Sequence, residues 1–122
     1  MIVEENPILM RCYYEHLSRS SFRIFPAKSY HEAANFFIAF RPEIVILGTC
    51  PDEIRRLNFA SEIVQLEPRC KMILLSPNAE VLETTEKIGF DLILPTKISR
   101  ARLLEGVRAL THTKNFDEIV AR

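Results

Sequence analysis

Glu43-Ile44-Val45-Ile46-Leu47, Met72-Ile73-Leu74-Leu75 and Leu92-Ile93-Leu94, the last stopped by Pro95, decide the fold of this chain. Each run is hydrophobic throughout rather than alternating, which suits strands covered on both faces, as in a parallel sheet between helical layers. Met1-Ile2-Val3 reads as the end of a further strand, and a weaker one is expected from Phe22 to Phe25. Helix-length segments fill the gaps. Pro7 to Leu17 carries Ile8, Leu9, Cys12, Tyr13 and Leu17 at helical spacing, with Asn6 as its cap and Pro7 in the first turn. Ser29 to Phe40 places Ala33, Ala34, Phe36, Phe37 and Phe40 on one apolar face and ends at Arg41-Pro42. Pro51 to Leu66 is expected to bury Ile54, Leu57, Ala60, Ile63 and Val64. Asn78 to Ile88 closes at Gly89, a suitable left-handed terminus, and Ser99 caps a last helix carrying Leu103, Leu104, Val107 and Leu110 to about His112.

Strand and helix therefore alternate five times. With right-handed crossovers this predicts a flavodoxin-like α/β fold, a doubly wound parallel sheet in three layers with strand order 2-1-3-4-5. The chain of 122 residues suffices for one such domain, expected over residues 1–112, with 113–122 a linker or C-terminal tail. Sixteen Lys and Arg balance sixteen Asp and Glu, so nothing favours direct nucleic-acid binding by this domain. Three widely spaced cysteines, Cys12, Cys50 and Cys70, suit a reducing compartment rather than a disulfide framework or zinc site. No apolar run approaches the roughly 18–20 residues of a membrane span, and Glu4 and Glu5 follow the first strand at once. The expected location is cytoplasmic, with no membrane contact.

Ligands of doubly wound sheets bind outside the carboxyl ends of the strands. Those ends supply Glu4 and Glu5, then Gly48 and Thr49, then Ser76, and finally Thr96 and Lys97. Nothing matches a phosphate-binding glycine loop or a nucleophile elbow, so no enzymatic activity is expected. Val3-Glu4-Glu5-Asn6-Pro7-Ile8-Leu9, Arg41-Pro42-Glu43-Ile44-Val45-Ile46-Leu47, Ser76 and Gly89-Phe90-Asp91 together resemble the response-regulator receiver domain. The resemblance implies bacterial signal transduction, with an acidic pair that binds Mg²⁺ and an aspartate that takes a phosphoryl group. The departures lie in that machinery. Gly48 stands at the phosphoacceptor position, where neither a nucleophile nor a metal ligand is available. Both members of the acidic pair are Glu, Thr96-Lys97 stands where a Lys-Pro pair is usual, and Ile93 occupies the aromatic switch position.

This pattern resembles a pseudo-receiver that lacks the phosphoacceptor. It implies a regulator acting through protein contacts or dimerisation, with no cofactor and with Glu4 and Glu5 as weak Mg²⁺ candidates only. The contact face implied by the family runs over Asn78–Ile88, Leu92–Leu94 and Ser99–Leu110, and includes Glu83, Lys87, Ile93, Arg100, Arg102, Leu104 and Arg108. Two alternatives stay open. One is phosphate chemistry at Thr49 or Asp52. The other is a small molecule or anion held in the pocket that the missing acceptor vacates. Asn115-Phe116-Asp117-Glu118-Ile119-Val120 is similar to the segment entering the ATPase domain of sigma-54-dependent activators, although Ala121-Arg122 departs from it. That likeness implies the N-terminal receiver of such a transcriptional activator.

Overall fold

The computed structural model describes residues 1–77 and 89–121, with side chains described as far as Thr111. Its elements are β1 (Ile2–Val3), α1 (Pro7–Ser18), β2 (Pro26–Ala27), α2 (Tyr30–Phe40), β3 (Ile44–Leu47), α3 (Glu53–Leu66), β4 (Lys71–Leu75), β5 (Leu92–Leu94) and α4 (Arg100–Ala121). The five strands form one parallel sheet in the order β2-β1-β3-β4-β5. The expected helix Asn78–Ile88 lies outside the described residues.

Alternation along the strands builds two cores. Ile2, Ile46, Ile73, Leu75 and Leu94 point to the face covered by α1 and α4, where Tyr13, Leu17, Leu103 and Val107 meet them. Val3, Val45, Leu47, Met72 and Leu74 point to the opposite face, where Ala33 and Phe37 of α2 and Phe59, Ala60 and Ile63 of α3 pack. Both faces are therefore apolar, which is why the runs read as continuous.

Capping follows the sequence closely. The Asn6 side chain accepts from the N–H groups of Ile8 and Leu9, Ser29 accepts from Glu32, and Ser99 Oγ accepts from Arg102 N–H. Gly89 has φ +86°, the left-handed value expected of it.

Four expectations need correction. The second strand is Pro26–Ala27 rather than Phe22–Phe25. It is an edge strand two residues long, paired only with β1, so a proline is tolerated in it. Helix α3 starts at Glu53, because Asp52 has extended backbone and caps it by accepting from Arg55 N–H. That helix also turns differently from its apolar pattern: Ile54 and Val64 are exposed while Arg56, only 3% exposed, is buried beside Phe59, Ala60 and Ile63. The last helix continues past His112 to Ala121, since no proline or glycine after Gly106 interrupts it.

Candidate functional site

The carboxyl ends of β1 and β3 are adjacent in the sheet, and they bring Glu4 against Gly48 and Thr49. Gly48 N–H donates to the Val3 carbonyl at 2.7 Å, continuing the ladder one residue past the strand. The Glu4 side chain does not point to solvent; the residue is 1% exposed. One carboxylate oxygen accepts from Thr49 N–H at 2.9 Å. The other accepts from the Thr49 hydroxyl at 2.7 Å and from Asn6 N–H at 2.9 Å. A buried carboxylate is costly unless its charge is met by donors, and here three converge on it.

Gly48 makes this arrangement possible. Its backbone is not in the left-handed region, so conformational freedom is not what the position needs. Space is. A Cβ there would overlap Glu4 Oε1 and would lie 2.8 Å from Glu4 Cδ and 3.0 Å from the Val3 carbonyl oxygen. The Glu4 carboxylate therefore occupies the volume that a side chain at position 48 would need, and the pocket expected to be vacated there is filled from within the chain.

Around this contact the remaining candidates take different places. Glu5 is half-buried, and its carboxylate lies 4.0 Å from the Cys50 sulfur. Burial pushes the Cys50 thiol up from its ordinary value, with the Glu5 charge acting in the same direction. Cys50 is thus not the activated thiolate that a helix start can create. Ser76 is buried at the end of β4, and its N–H donates to the Leu94 carbonyl at 2.9 Å. Thr96 is half-buried, and its carbonyl accepts from the buried Tyr13 hydroxyl at 3.0 Å. Lys97 is exposed. Among the expected contact residues, Arg100, Arg102 and Arg108 are exposed, but Ile93 is half-buried and Leu104 is buried in the core against α1. Leu104 packs into the core and also lines a surface groove with Arg100, Ala101 and Arg108. Glu83 and Lys87 lie outside the described residues.

Sequence reasoning missed Arg56. Its Nη1 donates to the Gly48 carbonyl at 3.2 Å, and its Nη2 lies 3.8 Å from the exposed carboxylate of Glu53. Its Nε is buried without a partner, as is the hydroxyl of Tyr30. Burial drives the Tyr30 phenol well above its ordinary range, and the Arg56 charge draws it partly back. A charge in the middle of an amphipathic helix pattern reads as solvated surface, so no local signal marked Arg56. Its partner is a backbone carbonyl eight residues away, which sequence pattern cannot display.

No protein-family model matches the chain, and no curated protein matches it significantly. Solved structures do. TrrA, a response regulator from Thermotoga maritima solved in complex with Mg²⁺ and BeF, is 24% identical, with a TM-score of 0.78 over 89% of this chain and 95% of that one. The N-terminal domain of an uncharacterized protein from Wolinella succinogenes is 21% identical, with a TM-score of 0.81 and 95% of each chain covered. NtrX from Brucella abortus is 15% identical with a TM-score of 0.83, over 98% of this chain and 28% of NtrX. At these identities the likeness is one of fold: the chain has the flavodoxin-like architecture of response-regulator receiver domains, with five parallel strands in the order 2-1-3-4-5.

Proposed function

We propose that this chain is an atypical receiver domain of a bacterial signal-transduction or transcription regulator. It acts in the cytoplasm by protein–protein contact or dimerisation, without aspartyl phosphorylation and without enzymatic activity of its own. The observation that carries this reading is the closure of Glu4 onto Thr49 across Gly48. It puts a carboxylate whose two oxygens already accept three hydrogen bonds where an acceptor side chain would have to stand.

The same bonds argue against a divalent cation. Mg²⁺ takes near-octahedral oxygen ligands and is reluctant to lose water. Glu4 has both oxygens in hydrogen bonds, Gly48 brings no side-chain oxygen and its carbonyl accepts from Arg56, and Glu5 is the remaining carboxylate after β1. Among the described residues no group of three His, Cys, Asp or Glu side chains is placed to hold a metal. The unorthodox acceptors are engaged too: the Thr49 hydroxyl donates to Glu4, and Asp52 caps α3. This chain aligns with 28% of NtrX, which fits a regulatory domain within a longer protein, and the Asn115–Val120 segment points to a sigma-54-dependent activator. No described helix is long and apolar enough to cross a membrane. For the contact face, the exposed Arg100, Arg102 and Arg108 on α4 offer charge for pairing across an interface, together with the segment that holds Glu83 and Lys87.

The test is an amide ¹⁵N–¹H titration with Mg²⁺ and beryllofluoride. Unmoved signals at Glu4, Glu5, Gly48, Thr49 and Ser76 are the expected outcome. Saturable shifts that spread from these residues toward α4 overturn the reading. Sedimentation equilibrium addresses the contact face separately, with Arg102→Glu and Arg108→Glu expected to weaken self-association.

A further inference from the structure

The end of the sheet opposite Glu4 carries a feature that this function does not use. Where the strands begin, a cavity of about 330 Å³ opens between the ends of α1 and α2 and the later turns of α4. A second, of about 250 Å³, adjoins it and shares Arg41, Pro42, Glu43, Ile44 and Thr111 with it. The first lies in the size range of small-molecule pockets.

Its wall is built from aromatic rings and guanidinium groups. Phe25 and Phe40 stack with centroids 4.6 Å apart and planes within 10°. Arg23 lies over the Phe25 ring at 5.5 Å, and Arg41 lies over Phe37 at the same distance. Phe40 is 50% exposed, with Phe25 stacked on it and Phe36 packed against it edge-on at 5.9 Å. Neither arginine has a carboxylate within 4.0 Å among the described residues; the ion pairs found there involve Arg11, Arg56 and Lys71.

The backbone holds this wall in place at some cost. Arg41 is the only described non-glycine residue with positive φ, at 46°. Its N–H donates to the Phe37 carbonyl at 2.9 Å, closing α2. The left-handed region costs a residue with a side chain of order 1 kcal/mol, and glycine is its usual occupant at a helix end. Arg41 lines both lobes, with its guanidinium over the buried Phe37 ring beneath the wall. Lys71 is paired to Asp91, and across both lobes Arg23, Arg41 and Arg69 stand against Glu43 and Glu67.

We propose that this two-lobed cavity is a binding site for a small organic anion with a planar apolar body. The planar part packs on the exposed half of the Phe40 ring, and the anionic group meets Arg23 and Arg41. Stacking on a ring and pairing with an uncompensated guanidinium reinforce one another in a recess partly shielded from water. Val107 and Thr111 of α4 line the same cavity, so an occupant touches the helix that leads out of the sheet.

The probe is 8-anilinonaphthalene-1-sulfonate, a planar aromatic anion, compared with its uncharged analogue N-phenyl-1-naphthylamine. Binding is followed by fluorescence and mapped on the amide spectrum of the folded chain. Saturable binding at one site per chain is expected, about tenfold tighter for the anion, with shifts centred on Phe25, Phe40 and Ile44. In the double variant Arg23→Gln/Arg41→Gln, whose amide spectrum must otherwise match the parent, the preference for the anion disappears. Exposed Ile54, at the far end of the sheet, supplies the control Ile54→Ala, which leaves binding unchanged. Emission that does not saturate, shifts mapped to other residues, or a double variant that keeps its preference for the anion overturns the proposal. The mapping on the unaltered chain decides even where a variant fails to fold.

Discussion

Glu4 and Gly48 should be energetically coupled, and the size of the coupling follows from the geometry. In Gly48→Ala the new methyl overlaps Glu4 Oε1 and stands 2.8 Å from Cδ. The backbone does not oppose alanine, since position 48 is outside the left-handed region, and the lost flexibility of the unfolded chain stabilises by about 0.4–1 kcal/mol. Against that gain, the carboxylate must move from a buried position and weaken bonds to Thr49 at 2.9 and 2.7 Å. Hydrogen bonds to a charged group contribute about 1.5–3 kcal/mol each, and overpacking adds about 1–3 kcal/mol. Losing one bond with mild overpacking therefore gives a net cost of about 2–4 kcal/mol. In a Glu4→Ala background only the Val3 carbonyl oxygen, at 3.0 Å, still crowds the new methyl, and Gly48→Ala should cost less than about 0.5 kcal/mol or stabilise slightly. The coupling read from the four-protein cycle is thus about 2–4 kcal/mol. Urea unfolding measures it, provided the slope m stays constant across the set. A Gly48→Ala variant as stable as the parent, or an equal cost in both backgrounds, refutes the account of the filled pocket.

Two buried tyrosines make a matched pair: Tyr13→Phe loses a 3.0 Å bond to the Thr96 carbonyl and should cost about 1 kcal/mol, whereas Tyr30→Phe removes an unpartnered hydroxyl and should be neutral or stabilising. Urea midpoints distinguish them, and equal losses contradict the reading. Arg56→Met exchanges a buried guanidinium with an orphaned Nε for an apolar chain, at the loss of one bond to the Gly48 carbonyl. Its stability should stay within about 1 kcal/mol of the parent, and a loss above about 3 kcal/mol would show that the charge is better compensated than the geometry indicates. Burial pushes the Cys70 thiol from 9.0 to about 11. The unfolded chain therefore releases this proton first, and stability falls as pH rises from about 9 to 11, by at most about 2–3 kcal/mol from this group. Denaturation midpoints across that range should decline less steeply in Cys70→Ala, and parallel curves for the two proteins would count against it.

The fold was legible because its decisive signals are local. Ile44–Leu47, Met72–Leu75 and Leu92–Leu94 are apolar on both faces of the pleat, and Asn6, Ser29 and Ser99 cap the helices as their side-chain chemistry dictates. The misplaced second strand is the element with least local signal: two residues, one of them proline, defined only by pairing with Ile2 and Val3. In α3 the apolar residues spread over more than one face. Ile54 and Val64 fitted the helical period as well as Phe59, and only contact with α2, through the edge-on packing of Tyr30 against Phe59, selects the buried side. Of the candidate site, sequence reasoning gathered Glu4, Gly48, Thr49 and Ser76 at the right end of the sheet. It had no means of telling that Glu4 turns inward, because that depends on a distance across two strands separated by 45 residues of chain.

That inward turn changes what the departures from the receiver pattern mean. Taken along the sequence, a glutamate at position 4 and a glycine at position 48 are two separate losses: a longer acid where an aspartate is usual, and no acceptor where one is required. In space they are one exchange. A glutamate carries one methylene more than an aspartate, which extends the carboxylate toward the neighbouring strand, and a glycine is the residue without the Cβ that would block it. On the reading proposed above, the negative charge at position 48 is not removed but supplied from β1, and Thr49 N–H and its hydroxyl hold it there. A charge delivered by a phosphoryl group comes and goes; one delivered by a buried side chain with three donors does not. Restoring a carboxylate at position 48 alone would therefore add a second acid to a space already filled, and like charges at such distances oppose ionisation of both. Any attempt to return phosphate chemistry to this scaffold has to shorten Glu4 first.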